Sequence, residues 1–384
     1  MPDSPPNNGW RKRRFDEMAV MVNDRIDDPA EAEVGHYVGL EHLDSDSLTI
    51  HRWGAPSDVE ATKLRFRAGD IIFGRRRVYQ RKLAVAHFDG ICSAHAMVLR
   101  AKPDVVLPEF LPFFMQSDLF MERAKEISVG SLSPTINWKT LAEEEFALPS
   151  LEEQRRIAAL LAQFQALDDR LFKLKMTADD LLEAEREHAF TDSRLIRKPL
   201  SAIASVRYGL GQPPQEVPEG VAMIRATNID RGRIVAKDLM RIDPNAIPDS
   251  RRVFLEEGEI LLVRSGAYTG DSALITKEWA GSVAGYDLVI CPDSDRINPQ
   301  YLAHFLLARR TVVSVLRALS ARTAQPHLNA DDMAGISVPR PDMSLQTEAV
   351  ERMTRIQQCI ESLLLRLDNL KRLKSSVVTA MWSQ

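Results

Sequence analysis

Sliding the chain along itself by 192 positions, half of its 384 residues, aligns the ends of its two halves without a gap. Pro134, Asn137, Leu141, Pro149 and Gln154 fall on Pro326, Asn329, Met333, Pro341 and Gln346. Apolar positions follow in register: Leu161 on Met353, Phe164 on Ile356, Leu171 on Leu363, Leu181 on Leu373 and Phe190 on Trp382. Upstream the offset drifts to 189, where Gly69-Asp-Ile-Ile-Phe73 matches Gly258-Glu-Ile-Leu-Leu262, and then to 186, where Tyr37–Asp44 matches Met223–Asp230. A drifting offset means loop insertions between elements held in common. Solenoid units run to ~20–50 residues, so the pattern is a tandem duplication of a whole domain.

Each half has the same order of parts. Short β-like runs come first, among them Asp70–Phe73, Leu83–Ala86, Ile260–Val263 and Val283–Ile290. A helical stretch follows, Leu107–Ile127 in one half and Pro299–Ala321 in the other, and then a long helix. In the first half Pro149 ends the preceding strand, and Ser150 with Glu153 forms a capping-box pattern. Ser344 or Asp342 has that place in the second. Apolar residues recur at steps of three and four from Ile157 to Leu181 and from Val350 to Val377, the seam of a coiled coil. A helix packed on its own domain is the alternative. The first long helix carries six bases against nine acids and the second six against four, so opposite net signs favour packing one on the other. A pseudo-twofold relation would run them antiparallel, and ~37 residues at ~1.5 Å make a spacer of about 55 Å. The expected fold is α+β: two tandem-repeated α/β domains separated by two long antiparallel coiled-coil helices. The expected segments are a flexible N-terminus (1–14), a first domain (15–149), a first long helix (150–190), a second domain (191–341) and a second long helix (342–384).

Motifs of catalysis are missing from the sequence. It has no phosphate-binding Gly-x-x-x-x-Gly-Lys-Ser/Thr, no His-Glu-x-x-His, no Cys-x-x-Cys and no Gly-x-Ser-x-Gly. Gly209-Leu-Gly211, followed by two prolines, reads as a turn. Three distant cysteines argue against a disulfide framework. With no secretory pattern at the N-terminus and no long apolar run, a reducing cytoplasm is expected. Cys92 with His95 is the best nucleophile–base candidate, but three residues apart on a strand the two side chains face opposite sides. The signal of charge is stronger. From Ala61 to His87 there are eight bases against the single acid Asp70, in a chain of net charge −4. Such a run suits phosphate oxygens, and its Gln and Arg suit base edges; a solvated basic face is the alternative. The matching loop of the second half is Arg264–Asp271, in which Arg264 falls on Arg75 and Tyr268 on Tyr79 while the rest differs. A polar loop pair, Ser128–Thr135 and Ser320–His327, precedes the matched asparagines.

The tandem halves, the Gly-Asp-Ile-Ile-Phe and Gly-Glu-Ile-Leu-Leu entries, and the Pro-x-Leu-x-x-Gln lead into a long helix together resemble the DNA-specificity subunit of a type I restriction–modification system. Lys198–Gly209 and Phe15–Val20 resemble the starts of that family's two target recognition domains. The resemblance implies a non-catalytic subunit binding double-stranded DNA, each globular part reading half of a split target. It implies long helices that set the spacing and dock two methyltransferase subunits, with motor-nuclease subunits joining. S-adenosylmethionine, ATP and Mg would belong to those partners, and no membrane is involved. The expected contacts at the first half-site are Arg65, Arg75, Arg76, Arg77, Tyr79, Gln80, Arg81 and Lys82. Those at the second are Arg225, Asn228, Arg264, Ser265, Tyr268, Thr269, Arg322 and His327. A coiled-coil adaptor with protein-binding ends and a Cys92/His95 hydrolase are the competing readings.

Overall fold

Ile71, Ile72 and Phe73 are apolar at successive positions, and successive side chains of a strand point to opposite faces, so both faces need cover. In the computed structural model, which describes residues 10–247, 253–320 and 327–382, both are covered. Ile71–Gly74 lies inside an antiparallel sheet of order Ala19–Val22, Ala96–Ala101, Ile71–Gly74, Leu83–Val85. Ile71, Phe73, Leu83, Met97 and Leu99 enter one core, together with helices Leu111–Gln116 and Asp118–Glu126. Ile72, Ala84 and Val98 enter another, shared with a second sheet of order Arg25–Ile26, Lys63–Phe66, Gly90–Ser93, Tyr37–Val38. The second half repeats the device. Its sheet runs Ala204–Tyr208, Leu288–Pro292, Ile260–Leu262, Ser272–Leu274. Ile260, Leu262, Leu288 and Ile290 face one core, and Leu261, Ala273 and Val289 face the other.

The Gly-acid entry to each central strand is a turn with a buried carboxylate. Gly69 and Gly258 have φ of +90° and +88°, a region that costs residues with a Cβ. One residue on, Asp70 accepts from the Arg67 N–H at 2.9 Å and from Arg100 Nε and Nη2 at 2.7 and 3.0 Å. Glu259 accepts from the Glu256 N–H at 2.9 Å and from Arg207 Nη2 at 2.5 Å. The arginine comes from a different strand in each half. Where the first half has Arg100, the register of the second puts Cys291, whose thiol donates to Glu259 Oε1 at 3.0 Å.

The matched prolines and glutamines start the long helices, Leu151–Thr191 and Met343–Trp382, of 41 and 40 residues. Ser150 Oγ accepts from the Glu153 N–H at 3.2 Å, the expected cap. Gln154 and Gln346 are fully buried one turn in. Gln154 Oε1 accepts from the Leu107 N–H at 2.9 Å, and its amide donates to the carbonyls of Val105 and Pro149 at 3.2 and 3.1 Å. Gln346 accepts from the Asn298 N–H at 2.9 Å and donates to the Pro341 carbonyl at 2.8 Å. Each glutamine thus fastens a long helix to the backbone entering the helical stretch before it.

The described residues fall into two compact units, one running to Lys173 and resuming at Leu364, the other Leu174–Leu363. The segments expected from the sequence keep each long helix whole, whereas each compact unit takes the start of one and the end of the other. In the first unit, Ile157 and Leu161 share a core with Val378, Met381 and Trp382, and Trp382 stacks on Phe110 with centroids 6.1 Å apart. In the second, Met353 and Ile360 share a core with Leu182 and Phe190, and Phe190 meets Tyr301 at 5.1 Å. There Arg352 Nε also donates to Glu185 Oε2 at 3.1 Å, an ion pair between the two helix segments.

Two local expectations are corrected. Residues 11–14, assigned with 1–14 to a flexible N-terminus, form a strand paired with Glu145–Leu148. Its basic side chains point largely to solvent while the backbone is paired, and buried Phe15 anchors the next residue. The run Val283–Ile290 is two strands in different sheets, broken at Gly285-Tyr-Asp287. Gly285 N–H donates to the Ile224 carbonyl at 2.8 Å there, and a Cβ on the facing Gly209 would meet the Gly285 oxygen at 1.9 Å, so the crossing admits only glycine at 209.

The matched asparagines precede short helices, Trp138–Glu143 and Ala330–Ala334. Only Asn329 caps with its side chain, accepting from the Asp332 N–H at 2.8 Å. Asn329→Ala is expected to cost about 1 kcal/mol in denaturant unfolding, and Asn137→Ala a few tenths. Equal costs would show that the cap bond is not what holds the second position.

Candidate nucleic-acid interface

The basic run leaves the central strand at Gly74 and returns at Leu83. Its ladder closes through the Gly74 N–H to the Lys82 carbonyl at 2.9 Å. Between them Arg77 and Arg81 take left-handed backbone, φ 59° and 51°, around a turn at Val78–Gln80. Buried Val78 pins the turn while Tyr79 stands 54% exposed. The loop is bound to the polar loop Ser128–Thr135. Arg77 N–H donates to the Pro134 carbonyl at 2.7 Å, Ile136 N–H to the Arg75 carbonyl at 3.0 Å, and Arg77 Nε to Ser133 Oγ at 3.2 Å. Arg76 pairs with Thr135 in an isolated antiparallel bridge. His95 sits beside Arg76, Nε2 to Nη1 3.4 Å. Burial and then the charges of Arg76 and Arg75 lower its pKa.

The second unit repeats the bridge. Ser265 pairs with His327, and Leu328 N–H donates to the Arg264 carbonyl at 2.8 Å. Tyr268, matched to Tyr79, is 50% exposed. Here the guanidinium carbon of Arg264 lies over two rings, 4.9 Å from the centroid of Tyr208 and 4.8 Å from that of Tyr286. Arg264 N–H donates to Asp287 Oδ1 at 3.1 Å, and burial holds the Asp287 carboxyl above its ordinary pKa.

Among the expected contacts the structure separates roles. Arg75, Arg76 and Arg77 form no ion pair among the described residues; Arg75 and Arg76 stand near His95, and exposed Tyr79 follows on the same loop, which forms a polar rim. Arg81 is taken up by the fold, with Nε 2.5 Å from Asp46, Nη1 3.0 Å from Asp118, and Nη2 donating to the Gln116 carbonyl at 2.6 Å. Lys82 Nζ donates to the Leu40 carbonyl at 2.5 Å, and the Gln80 carbonyl accepts from Ser45 Oγ at 2.7 Å. Arg65 lies on the other sheet, its Nε 3.9 Å from Asp24. In the second unit Arg225 Nη2 donates to the Asp238 carbonyl at 2.7 Å. Asn228 is wholly buried, accepting from the Arg225 N–H and donating to the carbonyls of Val235 and Lys237. Thr269 is 8% exposed and its hydroxyl donates to the Gly266 carbonyl. Asn228 and Thr269 therefore shape turns and leave the set of candidate contacts. Arg322 lies outside the described residues. Sequence reading missed Tyr208 and Tyr286, which are far from Arg264 along the chain; only the register brings them to it. The proposed nucleophile is disposed of as well. Cys92 packs among Val38, Leu64 and Phe66, its thiol pushed up by burial and then by Asp70, while His95 faces the rim.

These elements define a two-unit α+β protein carrying the same two-loop rim on matched sheets. The family model of the type I restriction modification DNA specificity domain matches residues 9–175 and 228–372, and the chain belongs to that family. The specificity subunit of the type I restriction enzyme EcoDI of Escherichia coli is 29% identical over 172 residues, 44% of this chain and 38% of that protein. The alignment thus spans well under half the length of that relative. The MjaVIII specificity subunit of Methanocaldococcus jannaschii is 22% identical over 339 residues, 82% of this chain and 75% of that protein. In three dimensions the chain is similar to the crystal structure of a type I restriction–modification S subunit from M. genitalium. That likeness has a TM-score of 0.59 at 15% identity and covers 98% of this chain and 96% of the other. No helix among the described residues is long and apolar enough to cross a membrane.

Proposed function

We propose that the chain is the specificity subunit of a type I restriction–modification complex and reads a bipartite target in double-stranded DNA, one half-site at each rim. The observation that carries this reading is the doubled two-loop bridge. Arg76 with Thr135 and Ser265 with His327 hold equivalent loops at equivalent sheet ends, while the residues displayed on those loops differ. One scaffold carrying two sets of side chains suits the reading of two unlike half-sites. Phosphate contacts fix register, and base contacts specify.

In this reading the two long helices form an antiparallel coiled coil about a pseudo-twofold axis. They set the half-site spacing and dock two methyltransferase subunits. Those subunits bind S-adenosylmethionine, and motor-nuclease subunits use ATP and Mg, so this chain itself performs no chemistry. Its place is the cytoplasm, where the DNA is.

Arg76→Ala tests the first rim. Loss of one phosphate contact should weaken DNA binding by the assembled complex about fivefold at physiological salt and lower the salt slope by about 1. Selection at the second half-site should stay as it was. Unchanged affinity together with unchanged methylation specificity would sink the assignment of this loop.

A further inference from the structure

Most exposed arginines are flexible, and Arg264 is held. The carbon of its guanidinium lies over the rings of Tyr208 and Tyr286, two cation–π contacts that restrict the side chain. The clamp is itself anchored. Tyr208 Oη accepts from the Ala330 N–H at 3.1 Å, and Asp287, next to Tyr286, accepts from the Arg264 N–H at 3.1 Å. Nε is buried without a partner. Among the described residues, no hydrogen bond or ion pair occupies Nη1 or Nη2. What remains without a partner among the described residues is the pair of amino groups at the end of the fork.

We propose that Arg264, held against Tyr208 and Tyr286, reads a guanine in the major groove at the second half-site. The inference rests on the DNA reading above and assigns the base and the residue. A guanine edge presents O6 and N7 as two coplanar acceptors, which an arginine fork meets bidentately. With the guanidinium carbon packed against two rings and Nε buried, the two amino groups are the donors left for a ligand, and the edge of a base pair can meet both. Because the side chain is already ordered, little rotamer freedom is lost on binding. Arg75, at the same point of the first half, has no such clamp: its Nη2 donates to the Ala94 carbonyl at 3.2 Å, and His95 stands where the register of the second half has Tyr286. The two rims therefore differ in their central arginine.

The test uses the full chain in complex with the methyltransferase subunits of its host. Wild-type complex is selected against a library of randomised duplexes, and the selected site is then bound by Arg264→Ala and Arg264→Lys complexes. The expected result is a guanine in the second half-site whose preference falls about tenfold or more in both variants, with selection in the first half-site intact. Replacing that guanine by 7-deazaguanine, which lacks the N7 acceptor, should weaken wild-type binding and leave Arg264→Ala binding unaffected. Equal weakening on every sequence would mark Arg264 as a phosphate contact and overturn the inference, as would unchanged selection in Arg264→Ala. Either result leaves the DNA reading standing. A wild-type complex that selects no sequence at all would overturn the DNA reading itself.

Discussion

Gln154→Leu should destabilise the first unit by about 3–5 kcal/mol, although leucine is close in size and the site is wholly buried. The size follows from what the side-chain amide satisfies. Leu107 N–H and the carbonyls of Val105 and Pro149 all bond to it, and a buried polar group left without a partner costs about 1–3 kcal/mol. Gln154→Glu should fare no better. It keeps an acceptor for Leu107 but has no N–H for the two carbonyls and brings charge into a buried site. Gln346→Leu removes one donor and one acceptor, so its cost should be lower, about 2–4 kcal/mol. Denaturant unfolding followed by far-ultraviolet circular dichroism measures all three. If Gln154→Leu and Gln154→Glu both lie within 1 kcal/mol of wild type, the glutamine is not the fastening that the geometry makes it.

That glutamine marks how far the sequence could be read. The Pro149/Gln154 and Pro341/Gln346 match was visible as a repeat because both positions answer the same backbone need. The central strands were legible for a similar reason: apolar residues at consecutive positions with a glycine turn before them admit few other structures. What could not be read was which core each apolar stripe serves. Phe190 and Trp382 align in the repeat, and each stands at the end of its long helix. Periodicity shows that these helix ends have an apolar face. It does not show that Phe190 meets Tyr301 and Phe305 while Trp382 meets Phe110, so the division of each long helix between two compact units is not legible from it. The same limit applies at the rims. Asn228 looked like a contact because it is polar and sits in a loop, yet three backbone groups take its amide. Tyr208 and Tyr286 become partners of Arg264 only through strand register.

Within the basic run itself, structure turns one charge count into two kinds of residue, and affinity should follow that division. Replacing Arg75, Arg76 and Arg77 together with alanine should weaken DNA binding by the assembled complex about 10²-fold at physiological salt. Three lost phosphate contacts at ~0.9 each lower the slope of log K against log salt by about 3. Arg81→Ala removes just as full a charge but should leave the slope nearly unchanged, because Asp46 and Asp118 already neutralise that guanidinium. Its effect should appear in folding instead, as a loss of about 1–2 kcal/mol from the missing bond to the Gln116 carbonyl and the two ion pairs. Salt titrations of both variants, each with a thermal melt as a folding control, separate these cases. Equal slope changes per removed charge would mean that the whole run acts as a diffuse basic face. A slope change confined to residues 75–77 would place the phosphate contacts on the part of the loop that the fold leaves free of carboxylates.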